Sequence, residues 1–116
     1  NRNYESSFEA PFVHHALFWL KEKNNMENYT IMLSFLKKFK EIKGVKFLHV
    51  GAPSVSEIDY EARATDFTYT FSYLALFDSK KDKEDYLKHP LHTQFFRDVK
   101  EQVSKVIIYD SLNIID

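Results

Sequence analysis

From Phe12 to Lys21 the chain reads FVHHALFWLK, and both alternating sets of positions are mostly apolar: Val13, His15, Leu17 and Trp19 in one, His14, Ala16, Phe18 and Leu20 in the other. A run of that length and composition predicts a strand covered on both faces. The pattern then changes period. Tyr29, Met32, Leu33, Leu36 and Phe39 recur at helical spacing with lysines between them, which predicts a helix from Met26 to Lys43 stopped by Gly44. VKFLHVGAP predicts a second strand ended by Gly51 and Pro53, and SVSEIDYEARAT has no clear period and reads as a loop.

Asp66 to Phe77 alternates with period two. Phe67, Tyr69, Phe71, Tyr73, Ala75 and Phe77 share one face of the predicted third strand, and Thr68, Thr70, Ser72, Leu74 and Leu76 share the other. Ser79 then caps a short helix that Pro90 ends, because the residue before a proline is pushed out of helical geometry. Pro90 itself suits the first turn of a second helix, which carries Leu91, Phe95, Phe96, Val99 and Val103 inward; KVIIYDSLNII closes the chain as a strand. The elements predict an α+β fold: a mostly antiparallel four-stranded sheet with helices on one face. The other face, bearing Val13, His15, Leu17 and Trp19, is apolar and uncovered, so a homodimer with sheet against sheet is expected.

Length and composition narrow the field. One domain is expected of 116 residues, residues 12–116, preceded by a polar arm over residues 1–11. The net charge of −1 supplies no field that would draw the chain to nucleic acid or an anionic membrane, and no apolar run has the ~20 residues of a membrane span. Without cysteine there are no disulfides, no thiolate catalysis and no thiolate metal site. His89 and His92 stand three apart, but Pro90 breaks the helix between them, so no metal is expected; with only two glycines there is no phosphate loop either. A cytoplasmic location is expected, with export left open by a first residue that is not Met. Eleven Phe and seven Tyr are many rings for so small a core, and some are expected to line a cavity or a subunit contact.

HHALFWLK, Gly51, ALFDS, YLKHPLH and VIIYD, taken in order and spacing, resemble the stress-responsive dimeric A/B barrel family from about Val13 to Asp110. The resemblance implies a ferredoxin-like protomer, a sheet-to-sheet dimeric barrel and no cofactor. Many members of that family have no assigned chemistry. A plant polyketide cyclase of the same fold closes rings with histidine and tyrosine, and by that resemblance His14, Tyr86 and His92 are the catalytic candidates. Histidine accepts protons near neutral pH and a tyrosine hydroxyl can donate to a developing oxyanion, so the trio could run an enolisation.

Each candidate also has a structural reading: His92 as a helix-start residue bonded to the backbone, His14 as a satisfied core residue, Tyr86 as packing. Phe18, Phe71, Tyr73 and Phe95 are the expected ligand-lining rings, and they too have a core reading. Two functions follow as expectations: a dimeric protein binding an apolar or aromatic small molecule between sheet and helices, or a cofactor-free cyclase, isomerase or oxygenase acting on small carbonyl or phenolic compounds.

Overall fold

The computed structural model describes residues 11–115; the polar arm, apart from Pro11, lies outside them. Four strands, β1 (Phe12–Leu20), β2 (Phe47–Gly51), β3 (Phe71–Phe77) and β4 (Val103–Leu112), form one sheet in the order β2-β3-β1-β4, every neighbouring pair antiparallel. Helices α1 (Met26–Lys38), α3 (Lys80–Lys88) and α4 (Pro90–Val99) pack on one side, and the short α2 (Asp59–Ala64) sits in the β2–β3 connection. This is the ferredoxin-like α+β arrangement.

Register decides which side chains meet the helices. Phe12, His14, Ala16 and Phe18 of β1 stand opposite Phe77, Ala75, Tyr73 and Phe71 of β3. Small residues face large ones, Ala16 beside Tyr73 and Ala75 beside His14, which leaves room for rings. The layer above is fixed by caps. Asn25 accepts from the Asn28 N–H to start α1, Ser79 accepts from the Asp82 N–H to start α3, and His89 Nδ1 accepts from the Leu91 N–H to start α4, with Pro90 in its first turn. His89 is therefore a corner residue. Phe39 follows α1 in a tight 3-10 turn and lies at the centre of the core.

Five expectations about the elements need correction. The regular part of the first helix ends at Lys38 rather than Lys43, because the Phe39 N–H is shared between the carbonyls of Leu36 and Lys37 and the chain tightens. The third strand begins at Phe71 and not Asp66: the Asp66 carboxylate accepts from the Thr68 N–H at 2.8 Å and bends the chain out of the ladder, taking Phe67 and Tyr69 with it. The segment read as a loop contains α2, which buries none of its residues and so has no apolar period to read. Phe96 is exposed rather than inward, and Val103 belongs to β4, not to α4.

Gly44 is the one described residue with positive φ, at +98°, and a Cβ there would lie 3.4 Å from the Asp82 Cβ. Gly44→Ala is expected to lower stability by about 1–2 kcal/mol, read from the midpoint of urea unfolding.

Candidate functional site

The helix-side face of the sheet carries an ionic chain whose origin is register. His14 on β1 is the direct cross-strand partner of Asp110 on β4, so the two side chains leave the sheet side by side. The His14 Nδ1–H donates to Asp110 Oδ1 at 2.7 Å, and Lys83 from α3 reaches Asp110 Oδ2 at 3.1 Å. With Nδ1 as the donor, His14 Nε2 keeps its lone pair.

Tyr86, on the inner face of α3, meets the His14 ring edge-on with centroids 5.7 Å apart and the His92 ring at 5.1 Å. Its hydroxyl pairs with the Tyr73 hydroxyl at 2.8 Å. His92, in the first turns of α4, stacks on Phe39 at 5.6 Å and leans on Phe95 at 6.3 Å. The three catalytic candidates thus form one cluster, held together by ring contact, with no hydrogen bond seen between any two of them.

The electrostatics follow from burial. His92 is pushed down to about 4 by loss of water, aided by the charges of His14 and Lys83. His14 is lowered for the same first reason, although the Asp110 bond pulls the other way. Burial alone would raise Asp110, but the bonds from His14 and Lys83 outweigh it and hold the carboxyl below its usual range. Burial also drives both Tyr73 and Tyr86 well above the ordinary phenol value, so both hydroxyls stay protonated and can only be neutral donors or acceptors.

A depressed histidine makes stability depend on pH in a defined sense. The unfolded chain binds a proton at His92 below about 6.5, the folded one only below about 4. Stability is therefore complete above that upper value and falls as pH drops through the window between the two. Because His92 is partly open to water, we expect a loss on the order of 1–2 kcal/mol. His92→Phe is expected to flatten that acid limb, measured by urea unfolding at a series of pH values.

Beside the cluster, a groove of about 320 Å³ runs between α4 and β4, lined by Phe18, Phe95, Val99, Val103 and Val106 among others. Its floor continues along β4: Val106 and Ile108, both exposed, share the helix-side face with Asp110. Along β1 the groove residue Phe18 and the cluster residue His14 stand roughly 13 Å apart. Of the four rings expected to line a ligand, Phe18 and Phe95 line the groove. Phe71 and Tyr73 are closed in the core at 2% and 1% exposure.

Sequence reasoning missed Asp110 and Lys83. Lys83 reads as part of a solvated, charge-alternating face, yet its side chain is only 17% exposed. Asp110 could have been found by pairing β1 and β4 through their apolar patterns. His15, on the opposite face, lies 3.3 Å from the Ser72 hydroxyl, and His49 is exposed on that same face. Among the described residues no group of three His, Cys, Asp or Glu could hold a metal ion, and no helix is long and apolar enough to cross a membrane.

The sequence model of a family described as the stress responsive A/B barrel domain matches residues 12–113. The chain belongs to that family. Comparison with curated proteins finds no match. Several solved structures resemble it in fold. A family member with a ferredoxin-like fold from Mesorhizobium loti is 23% identical, with a TM-score of 0.72 over 92% of this chain and 100% of that one. A dimeric ferredoxin-like protein of unknown function from Bacteroides fragilis is 17% identical, TM-score 0.66, over 95% and 100%. Hydroxynitrile lyase from Passiflora edulis is 17% identical, TM-score 0.71, over 92% and 98%.

Proposed function

We propose that this A/B barrel protein is a homodimer that binds an apolar or aromatic small molecule in the groove between α4 and β4. The observation that carries the reading is the apolar groove itself, lined by Phe18, Phe95, Val103 and Val106. Small-molecule sites are concave, mostly apolar and punctuated by a few fixed polar groups, and about 320 Å³ is within their size range. The homodimer is supported by the apolar open face of the sheet and by the dimeric structures of the same fold.

1-Naphthol is a suitable probe. Its binding is expected to shift the amide resonances of Phe18, Phe95, Val103 and Val106, and Val106→Asp, a substitution at an exposed position, is expected to weaken it at least tenfold. Shifts confined to the opposite sheet face, or none at millimolar probe, would overturn the assignment.

A second reading is favoured by the part-buried His14–Asp110 pair, with Tyr86 packed against His14 and His92 against Tyr86. Titratable groups perturbed by burial and a specific charge partner, packed close to an apolar cleft, mark a candidate site for cofactor-free proton transfer. In this reading the chain moves a proton on a small carbonyl or phenolic compound, as cyclases and isomerases do. Deuterium wash-in at the acidic carbon of phenylacetaldehyde, faster with the protein than with buffer and lost in His14→Gln, is its test; rates equal to buffer leave the binding function alone.

A further inference from the structure

We propose that Lys83 is a positioning residue that holds Asp110 as a carboxylate shared between the lysine ammonium and the Nδ1–H of a neutral imidazole, so that His14 rests as a neutral base for a ligand arriving uncharged and leaving as an anion. The inference deepens the proton-transfer reading and rests on it for its ligand class.

A carboxylate beside an imidazole ordinarily draws a proton onto it, because the nearby negative charge favours the charged form against the cost of burial. Here the second carboxylate oxygen is already occupied. Lys83 Nζ sits 3.1 Å from Asp110 Oδ2 while His14 Nδ1–H holds Oδ1 at 2.7 Å. The lysine is pinned: its side chain is 17% exposed, it rises from the first turns of a helix capped by Ser79, and its ammonium lies 5.9 Å from the centre of the Phe12 ring. It is too enclosed to swing freely into water.

The charge count gives the ligand class. Lys83 and Asp110 cancel, so the cluster with neutral His14 carries no net charge. The groups facing His14 from the other elements are Tyr73 on β3, Tyr86 on α3 and His92 on α4, all uncharged at neutral pH, with His15 next to it in β1 but on the opposite face. When Nε2 takes a proton from a C–H or O–H, the bonding pair stays on the ligand as enolate or phenolate, and the cluster becomes +1 as the ligand becomes −1. The two opposite charges appear together and side by side as the proton moves. A neutral carbon acid or phenol fits this balance. A ligand already carrying a carboxylate at the polar end would meet a cluster with no net charge to receive it.

The decisive measurement is an NMR pH titration of the His14 imidazole in ligand-free protein, assigned with His14→Gln. Without Lys83 the carboxylate acts on His14 alone, so in Lys83→Met the His14 midpoint is expected to move to higher pH, with Lys83→Arg restoring the wild-type value. Lys83→Gln replaces Lys83→Met if the latter does not fold, and two-dimensional amide spectra establish the fold of each variant. A His14 midpoint unchanged by loss of the lysine charge overturns the proposal; so does a midpoint that rises equally in Lys83→Arg, which would make the effect one of shape. Because the titration uses no ligand, it reads Lys83 even if phenylacetaldehyde is never turned over, and an unaltered titration with active exchange would separate the two failures the other way.

Discussion

Phe39→Ala is expected to cost about 3–5 kcal/mol of stability and, in the same variant, to bring the His92 imidazole back up from about 4 toward 6.5. Both effects come from one ring. Phe39 is 1% exposed and touches the rings of Tyr73, Tyr86, His92 and Phe95 with centroids between 5.3 and 5.9 Å. Removing it loses the transfer energy of a phenyl group and leaves a hole the surrounding sheet cannot close, since Tyr73 and Ala75 are fixed by the ladder. The hole borders two phenol hydroxyls and an imidazole, so water enters it, and water is what His92 lacks. Urea unfolding gives the first quantity and an NMR titration of His92 the second. A variant that loses the stability while His92 still titrates near 4 would show that something other than this stacked ring keeps the imidazole dry.

That coupling explains which parts of the molecule could be read from the chain. Strand β1, the core of α1, the Pro90 break and the closing strand are legible because each repeats its own apolar period or carries its own cap. Asp66 to Tyr69 is not, since the same alternation that suits a strand also suits an extended segment bent by an Asp66 turn; only the missing ladder tells them apart. Helix α2 is invisible for the opposite reason, having no buried side.

Within the site, His14, Tyr86 and His92 are placed by motif, and the register then brings them together. Asp110 and Lys83 come from an alternating strand and a charge-rich helix turn, where an acid and a lysine look like surface until the two elements are laid side by side. Their contact is long-range in sequence, His14 to Asp110 across nearly the whole chain, and no local pattern encodes it.

The second large effect concerns the sheet face that the helices leave bare. Val13, His15 and Leu17 on β1, Leu74 on β3, His49 on β2 and Tyr109 on β4 all lie on it and all retain solvent contact in the protomer. Trp19 shares that face but is already covered: its indole N–H donates to the Thr68 hydroxyl at 2.9 Å, Tyr69 meets it edge-on, and the Lys105 ammonium stands 4.7 Å from its ring centre. The expectation that a second copy must cover Trp19 is therefore corrected, whereas Leu17 and Leu74 are only partly covered in the protomer.

Leu74→Asp is expected to convert a species of twice 13.8 kDa into one of 13.8 kDa by light scattering, with little change in the helical circular dichroism. A carboxylate forced into an apolar sheet-to-sheet contact costs about 4 kcal/mol, roughly a thousandfold in dissociation constant. Trp19→Asp is expected to behave differently, lowering the melting temperature of the protomer itself because it breaks the Thr68 bond and exposes the end of the sheet. If Leu74→Asp keeps the doubled mass, the open face is not where two copies meet, and the apolar strip of Val106 and Ile108 beside the groove becomes the surface on which they would have to.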